Sequence, residues 1–195
     1  MIAALLRSVV LALLATGMAG CVATKYDTIP YDTPRPAELA ELSGCSDAAR
    51  NRNEPCVALV RASDWQTLTD IEVDANQAWR IELPKNQRWF DASRISSPLD
   101  GEPGSDQMNT AADWKRMPGA PWFALAVGVA AKAGDEVQGQ AVRNLPGSRD
   151  VGFIFRPTRA GTLVFFPNDA IPPTGSHYFY GNNGGQIWVK LTRLQ

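Results

Sequence analysis

One carboxylate and two adjacent amides, Asp169 and the pair Asn182-Asn183, stand at the two ends of a single loop near the C-terminus. The motif opens with Asn168-Asp169 and closes with Tyr180-Gly181-Asn182-Asn183-Gly184-Gly185. Gly161-Thr-Leu-Val-Phe-Phe-Pro167 before it and Gln186-Ile-Trp-Val-Lys-Leu-Thr-Arg193 after it read as strands, the second alternating apolar and polar residues with period two. Facing strand ends thus gather an acid, side-chain amides and the carbonyls of the loop. Hard cations such as Ca²⁺ take about six to eight oxygens, and these groups are their usual donors. The loop is a candidate calcium site. Asn, Asp and Gly are also ordinary hairpin-loop residues, since they tolerate left-handed backbone angles.

The elements that must position this loop are strands. Val57 to Ala62, Thr69 to Asp74 and Ala78 to Leu83 each read as one, with Ile71 and Val73 facing inward in the second. Trp89-Phe90 opens a less regular strand, and Trp122 to Val129 is an almost unbroken apolar run, as expected of a strand buried on both faces. Val137 to Val142 and Asp150 to Phe155 complete the set with the two strands flanking the loop. Residues 96–119 form a long irregular stretch rich in Gly, Pro, Asp and Asn. No segment after residue 45 sustains a helical apolar repeat. The expected fold is all-β, a jelly-roll-like antiparallel β-sandwich of eight to nine strands.

With 195 residues, 14 prolines, 16 glycines and a net charge of −1, the chain suits one turn-rich domain and no nucleic-acid partner. Residues 1–20 read as an export signal, with Arg7 before an apolar run too short to span a bilayer. Met18-Ala19-Gly20-Cys21 resembles the lipobox of bacterial lipoproteins. That resemblance implies acylation of Cys21 and a membrane anchor of more than one acyl chain. Val22, in place of an inner-membrane retention aspartate, points to the outer membrane. Residues 21–44 then form a lipidated, proline-bearing tether and 45–195 the β-sandwich domain. In an exported chain, Cys45 and Cys56 are expected to pair as a disulfide.

Several segments together resemble the calcium-dependent bacterial lectins of the PA-IL type and their relatives. The first is Ala62-Ser-Asp-Trp65-Gln66-Thr67-Leu68-Thr69-Asp70-Ile71-Glu-Val73, continuing to Arg80-Ile-Glu-Leu83 and Trp89. Phe123-Ala-Leu-Ala-Val-Gly128 is the second. The third runs from Gly152-Phe153 through Gly161-Thr-Leu-Val to Asn168-Asp169 and Tyr180-Gly181-Asn182-Asn183-Gly184. The resemblance implies a Ca²⁺ ion held by the Asp169 carboxylate, the Asn182 and Asn183 amide oxygens and the Phe179 carbonyl. A further carbonyl near Ala92 or Ser93 and two hydroxyls of a bound carbohydrate would complete the shell. The loop here is several residues longer than the family pattern, and its insertion carries Pro172, Pro173, His177 and Tyr178. The family's sugar-contacting segment is not recognisable in 106–116.

Beside that site, Tyr178, Phe179 and Tyr180 offer ring faces for a sugar, or pack against the sheet edge; packing is expected for Phe179. His177, the sole histidine, is either a solvent-exposed loop residue or a hydrogen-bonding partner for the ligand; alone it makes no zinc set. Trp114 is the other candidate platform, because Asp113, Lys115 and Arg116 around it argue for exposure. The five remaining tryptophans, Trp65, Trp79, Trp89, Trp122 and Trp188, read as core or sheet-face residues. Asp70, Glu72 and Asp74 share a solvent-facing strand face and form no glycosidase pair. The functional expectation is a non-enzymatic, membrane-anchored carbohydrate-binding lipoprotein. Its alternative is the same fold without metal, contacting other envelope proteins.

Overall fold

Alternation decides which side of each strand meets the core. In β2 (Thr67–Val73), Thr69, Ile71 and Val73 are buried, and Leu68, Asp70 and Glu72 are exposed. β6 (Leu125–Ala130) is buried at every position, as its unbroken apolar run requires. These assignments come from a computed structural model that describes residues 33–45, 54–91, 94–132, 135, 137, 139–142 and 152–194. The expected export signal, Cys21, the first part of the expected tether, and Ala92 and Ser93 lie outside the described residues.

Two four-stranded antiparallel sheets pack face to face. The first has the order β1 (Cys56–Arg61), β11 (Gln186–Leu194), β3 (Ala78–Glu82), β8 (Phe153–Phe155). The second runs β2, β9 (Gly161–Pro167), β6, β7 (Gln140–Ala141). Trp79, Ile81, Val189 and Leu191 from the first meet Ile71, Leu125, Val127 and Phe165 from the second in one core cluster. Each such side chain contributes roughly 1.5–3 kcal/mol by leaving water. On the outer face of the second sheet, Ala126, Ala130, Val137, Val164 and Phe166 form a separate cluster, closed by Met117. That cover is why β6 is apolar on both sides. The protein is an all-β antiparallel sandwich.

A third sheet was not expected. Its order is β10 (Asn183–Gly184), β4 (Trp89–Asp91), β5 (Arg94–Ser96). Its outer strands have two and three residues, too few for alternation to register, which is why eleven strands are found among the described residues and eight to nine were expected. Gly184 lies against Phe90, where an added Cβ would stand 2.1 Å from the ring.

The amino-terminal side also departs from expectation. Residues 33–44 do not stand off as a tether: Leu39 is buried, Gly44 bridges Val57 in parallel, and Cys45 is bonded to Cys56 across 11 residues. The Trp188 indole donates to the Thr33 carbonyl at 3.0 Å, and the Arg35 guanidinium sits 5.4 Å from its ring centroid. The folded unit therefore includes residue 33, twelve positions before the expected boundary at 45. Closing a loop of this size removes unfolded-state freedom worth on the order of 3 kcal/mol.

Gly184→Ala is expected to cost about 1–3 kcal/mol through overpacking against Phe90. Denaturant unfolding measures it, and an unchanged midpoint would mean that the Phe90 ring simply swings aside.

Candidate cation and ligand site

The end of β9 carries Asn168 and Asp169 into the rim of the sandwich, and the two residues divide the work. Asn168 is fully buried. Its Oδ1 accepts from Met117 N–H at 2.9 Å, and its Nδ2 donates to the carbonyls of Met117, Ala120 and Pro121. That amide is spent on holding the 117–121 turn. Asp169, 5% exposed, accepts from Ala170 N–H at 2.7 Å through Oδ1 and from Asn183 Nδ2 at 2.9 Å through Oδ2.

The 3₁₀ turn Tyr178–Asn182 then brings the far end of the loop back. Tyr180 anchors it: its ring is 1% exposed and its hydroxyl donates to the Pro167 carbonyl at 3.0 Å. Burial pushes that hydroxyl's pKa up. The structure thus corrects the reading of Tyr180 as a ligand-facing ring; it is a core residue that fixes the loop. Asn183 pairs with Asp91 across β10 and β4, and Asn182 Nδ2 donates to Asp91 Oδ1 at 2.7 Å.

Two carboxylate–amide pairs therefore occupy one rim, Asp91 with Asn182 and Asp169 with Asn183. Asp91 was missed. Its signal was present, because period two puts it on the same strand face as Trp89, which is 0% exposed. An acid sharing a face with a fully buried tryptophan points inward. Asp169 is consequently not the sole carboxylate of the set.

The amide oxygens tell the rest. Asn182 Oδ1 and Asn183 Oδ1 are enclosed and have no hydrogen-bond partner. A buried acceptor left unpaired costs about 1–3 kcal/mol, and an enclosed carboxylate costs more. Burial drives Asp169 up to about 6 against hydrogen bonds from Asn183 and Ala170. Asp91 rises to about 7, first by burial, then by the charges of Asp169 and Glu102, with Asn182 and Arg94 opposing. The charge of Asp169 makes Asp91 harder to ionise. No three His, Cys, Asp or Glu side chains gather to hold a metal among the described residues. The donors are thus carboxylate and amide oxygens, a set that fits a hard cation and not zinc.

Other expected residues land elsewhere. His177 is exposed and stacks flat on Trp65, ring centroids 4.0 Å apart at 6°. Trp65 is therefore a half-buried turn residue, not part of the core. Trp114 is half-buried against the main core, with its carbonyl accepting from Ile171 N–H at 2.8 Å. Its neighbour Arg116 is buried, with the guanidinium 3.4 Å from the Phe166 ring centroid and bonded to the carbonyls of Trp65 and Val137. The charged flank of Trp114 thus gave the wrong signal, because the arginine packs inward. Phe179 packs against the core, and Tyr178, 47% exposed, stands edge-on to it at 5.8 Å.

Both acids have folded pKa values above the ordinary 3.8, so the folded protein holds protons that the unfolded chain has released. In the absence of metal, the stability these two acids contribute is full below about 3.8 and is lost as pH rises from there through about 6 and 7. Thermal melts in chelator at pH 5 and 7.5 should show the acidic sample melting higher. Asp91→Asn, which removes the ionisation, is expected to raise the melting temperature at pH 7.5 by roughly 3–6 °C.

Comparison with known proteins adds a likeness of shape. No family model and no curated protein matches the chain. Among solved structures, the EclA N-terminal domain, described as a PllA-like lectin, aligns with a TM-score of 0.42 at 17% identity, over 71% of this chain and 95% of that one. A likeness of that size assigns neither ligand nor metal, and the functional reading rests on the rim itself.

Proposed function

We propose that this chain is a carbohydrate-binding protein that holds a Ca²⁺ ion at Asp91, Asp169, Asn182 and Asn183. The observation that carries the reading is the pair of enclosed, unpartnered amide oxygens beside a buried carboxylate, Asp169, and a half-buried one, Asp91. A bound Ca²⁺ supplies open coordination positions that neighbouring sugar hydroxyls occupy together. The chain's residues do the rest. Asp91 and Asp169 bring negative charge, and Tyr180 and Asn168 hold the two loop ends against the sandwich. An amide presents oxygen or nitrogen by a half turn of its last torsion, so Asn182 and Asn183 serve the rim with or without the ion. Tyr178 offers an exposed ring on the loop that carries Asn182 and Asn183, and the Phe179 carbonyl is a further ligand in this reading. Acylated at Cys21, the chain would sit on the outer membrane as a lipoprotein, binding glycan without turning it over.

A second reading has its own support. Each carboxylate already accepts an amide N–H, so the rim is half satisfied with no ion. In that case the same fold serves as a metal-free envelope protein that contacts other proteins.

Ca²⁺ separates the two. At a free concentration of 1,000 times its dissociation constant the ion is expected to stabilise the protein by about 4 kcal/mol at pH 7.5, and Asp169→Asn should abolish that gain. Glycan-array binding is expected with Ca²⁺ and lost in chelator. Melting that ignores Ca²⁺ in the wild type, or glycan binding equal in both buffers, rules out the proposal.

A further inference from the structure

The small sheet that carries Asp91 also carries a cation. Arg94 lies directly across from Asp91 in the β4–β5 register. Its Nε is 2.9 Å from Glu102 Oε2, with the Arg94 side chain 43% exposed and that of Glu102 12% exposed. Glu102 is itself held by two backbone hydrogen bonds to Trp122. Its second oxygen, Oε1, is enclosed without a partner, as is the hydroxyl of Ser96 on the same strand as Arg94. Three acids, Asp91, Asp169 and Glu102, thus act on one neighbourhood, and Arg94 is the basic group acting on Asp91 among the described residues. Around Asp91 the acids outnumber that one cation, an excess of negative charge that favours a divalent ion at the rim.

We propose that Arg94 is an internal counter-charge with which the divalent ion must compete, so that the Arg94–Glu102 pair sets the affinity of the rim for Ca²⁺. This rests on the cation site proposed above. In the metal-free protein Arg94 offsets part of the Asp91 charge from the adjacent strand. When the ion binds, the same guanidinium repels it across a partly desolvated rim, where charges a few ångströms apart interact several times more strongly than in bulk water. Glu102 restrains Arg94 and adds negative charge of its own. The edge position of β5 and the exposure of Arg94 let its charge be altered with little disturbance of the core.

Calorimetric titration of the protein with CaCl₂ alone, at pH 7.5 and low salt, tests this. Arg94→Gln is expected to tighten Ca²⁺ binding about three- to tenfold, with the gain shrinking as salt is raised. Arg94→Lys, which keeps the charge, should stay within about twofold of the wild type. Glu102→Gln should move the other way and weaken binding about three- to tenfold, because it deletes a negative charge and leaves Arg94 free for Asp91. If the wild type binds Ca²⁺ while Arg94→Gln binds no more tightly, Arg94 is only a support for its strand and the inference is wrong. The same holds if Arg94→Lys and Arg94→Gln behave alike. A wild type that takes no Ca²⁺ removes the cation site itself, and this inference with it.

Discussion

Two carboxylates withdrawn from water beside each other set the terms for this molecule. Asp91 and Asp169 are both lifted well above the ordinary carboxylate range, chiefly by burial, and no guanidinium or ammonium makes an ion pair with either among the described residues. What meets them is a pair of amides, each giving one N–H and leaving one oxygen enclosed and unpaired. Such an arrangement is costly for a protein that has nothing to put there. The proposed cation would relieve that cost.

The sandwich tolerates this because everything around the rim is fastened. Tyr180 ties the returning loop to the end of β9 through Pro167, and Asn168 ties the same strand end to the 117–121 turn. Trp89 donates from its indole to the Phe123 carbonyl at 3.0 Å, joining β4 to the entrance of β6. Phe123 takes a left-handed φ of 57° there, and its N–H donates to Asn168. A non-glycine residue in that region persists only where its surroundings hold it. The stack of His177 on Trp65 fastens the inserted loop from outside. The rim is thus fastened on several sides by hydrogen bonds and ring contacts.

Much of the frame was legible because burial leaves periodic marks. Ile71 and Val73 alternate with acids, and Trp122 to Val129 has no polar residue to turn outward. The Asp169, Asn182 and Asn183 motif comes together at one rim of the sandwich. What misled was residue type taken without its neighbours. Tyr180 looked like a ring for a ligand but is enclosed, and Arg116 looked like a sign of exposure but stacks beneath Phe166. Amphipathic side chains bury their bodies whenever a partner for the polar tip is at hand, and sequence does not say where that partner is.

By itself, then, the sequence determined the strands of the two large sheets, the pairing of its two domain cysteines and the loop where acid and amides collect. Those are local properties: a repeat of two, a spacing, a run of turn-forming residues. Only the tertiary structure decided that Asp91, 91 positions before Asn182, faces the same rim, and that the amide oxygens there remain unpaired. It also decided that residues 33–44 belong to the domain. The physical reason is that β5 and β10 are too short to carry a pattern. They exist because long-range packing holds them in register, and the charges they bring together meet nowhere but in the folded chain.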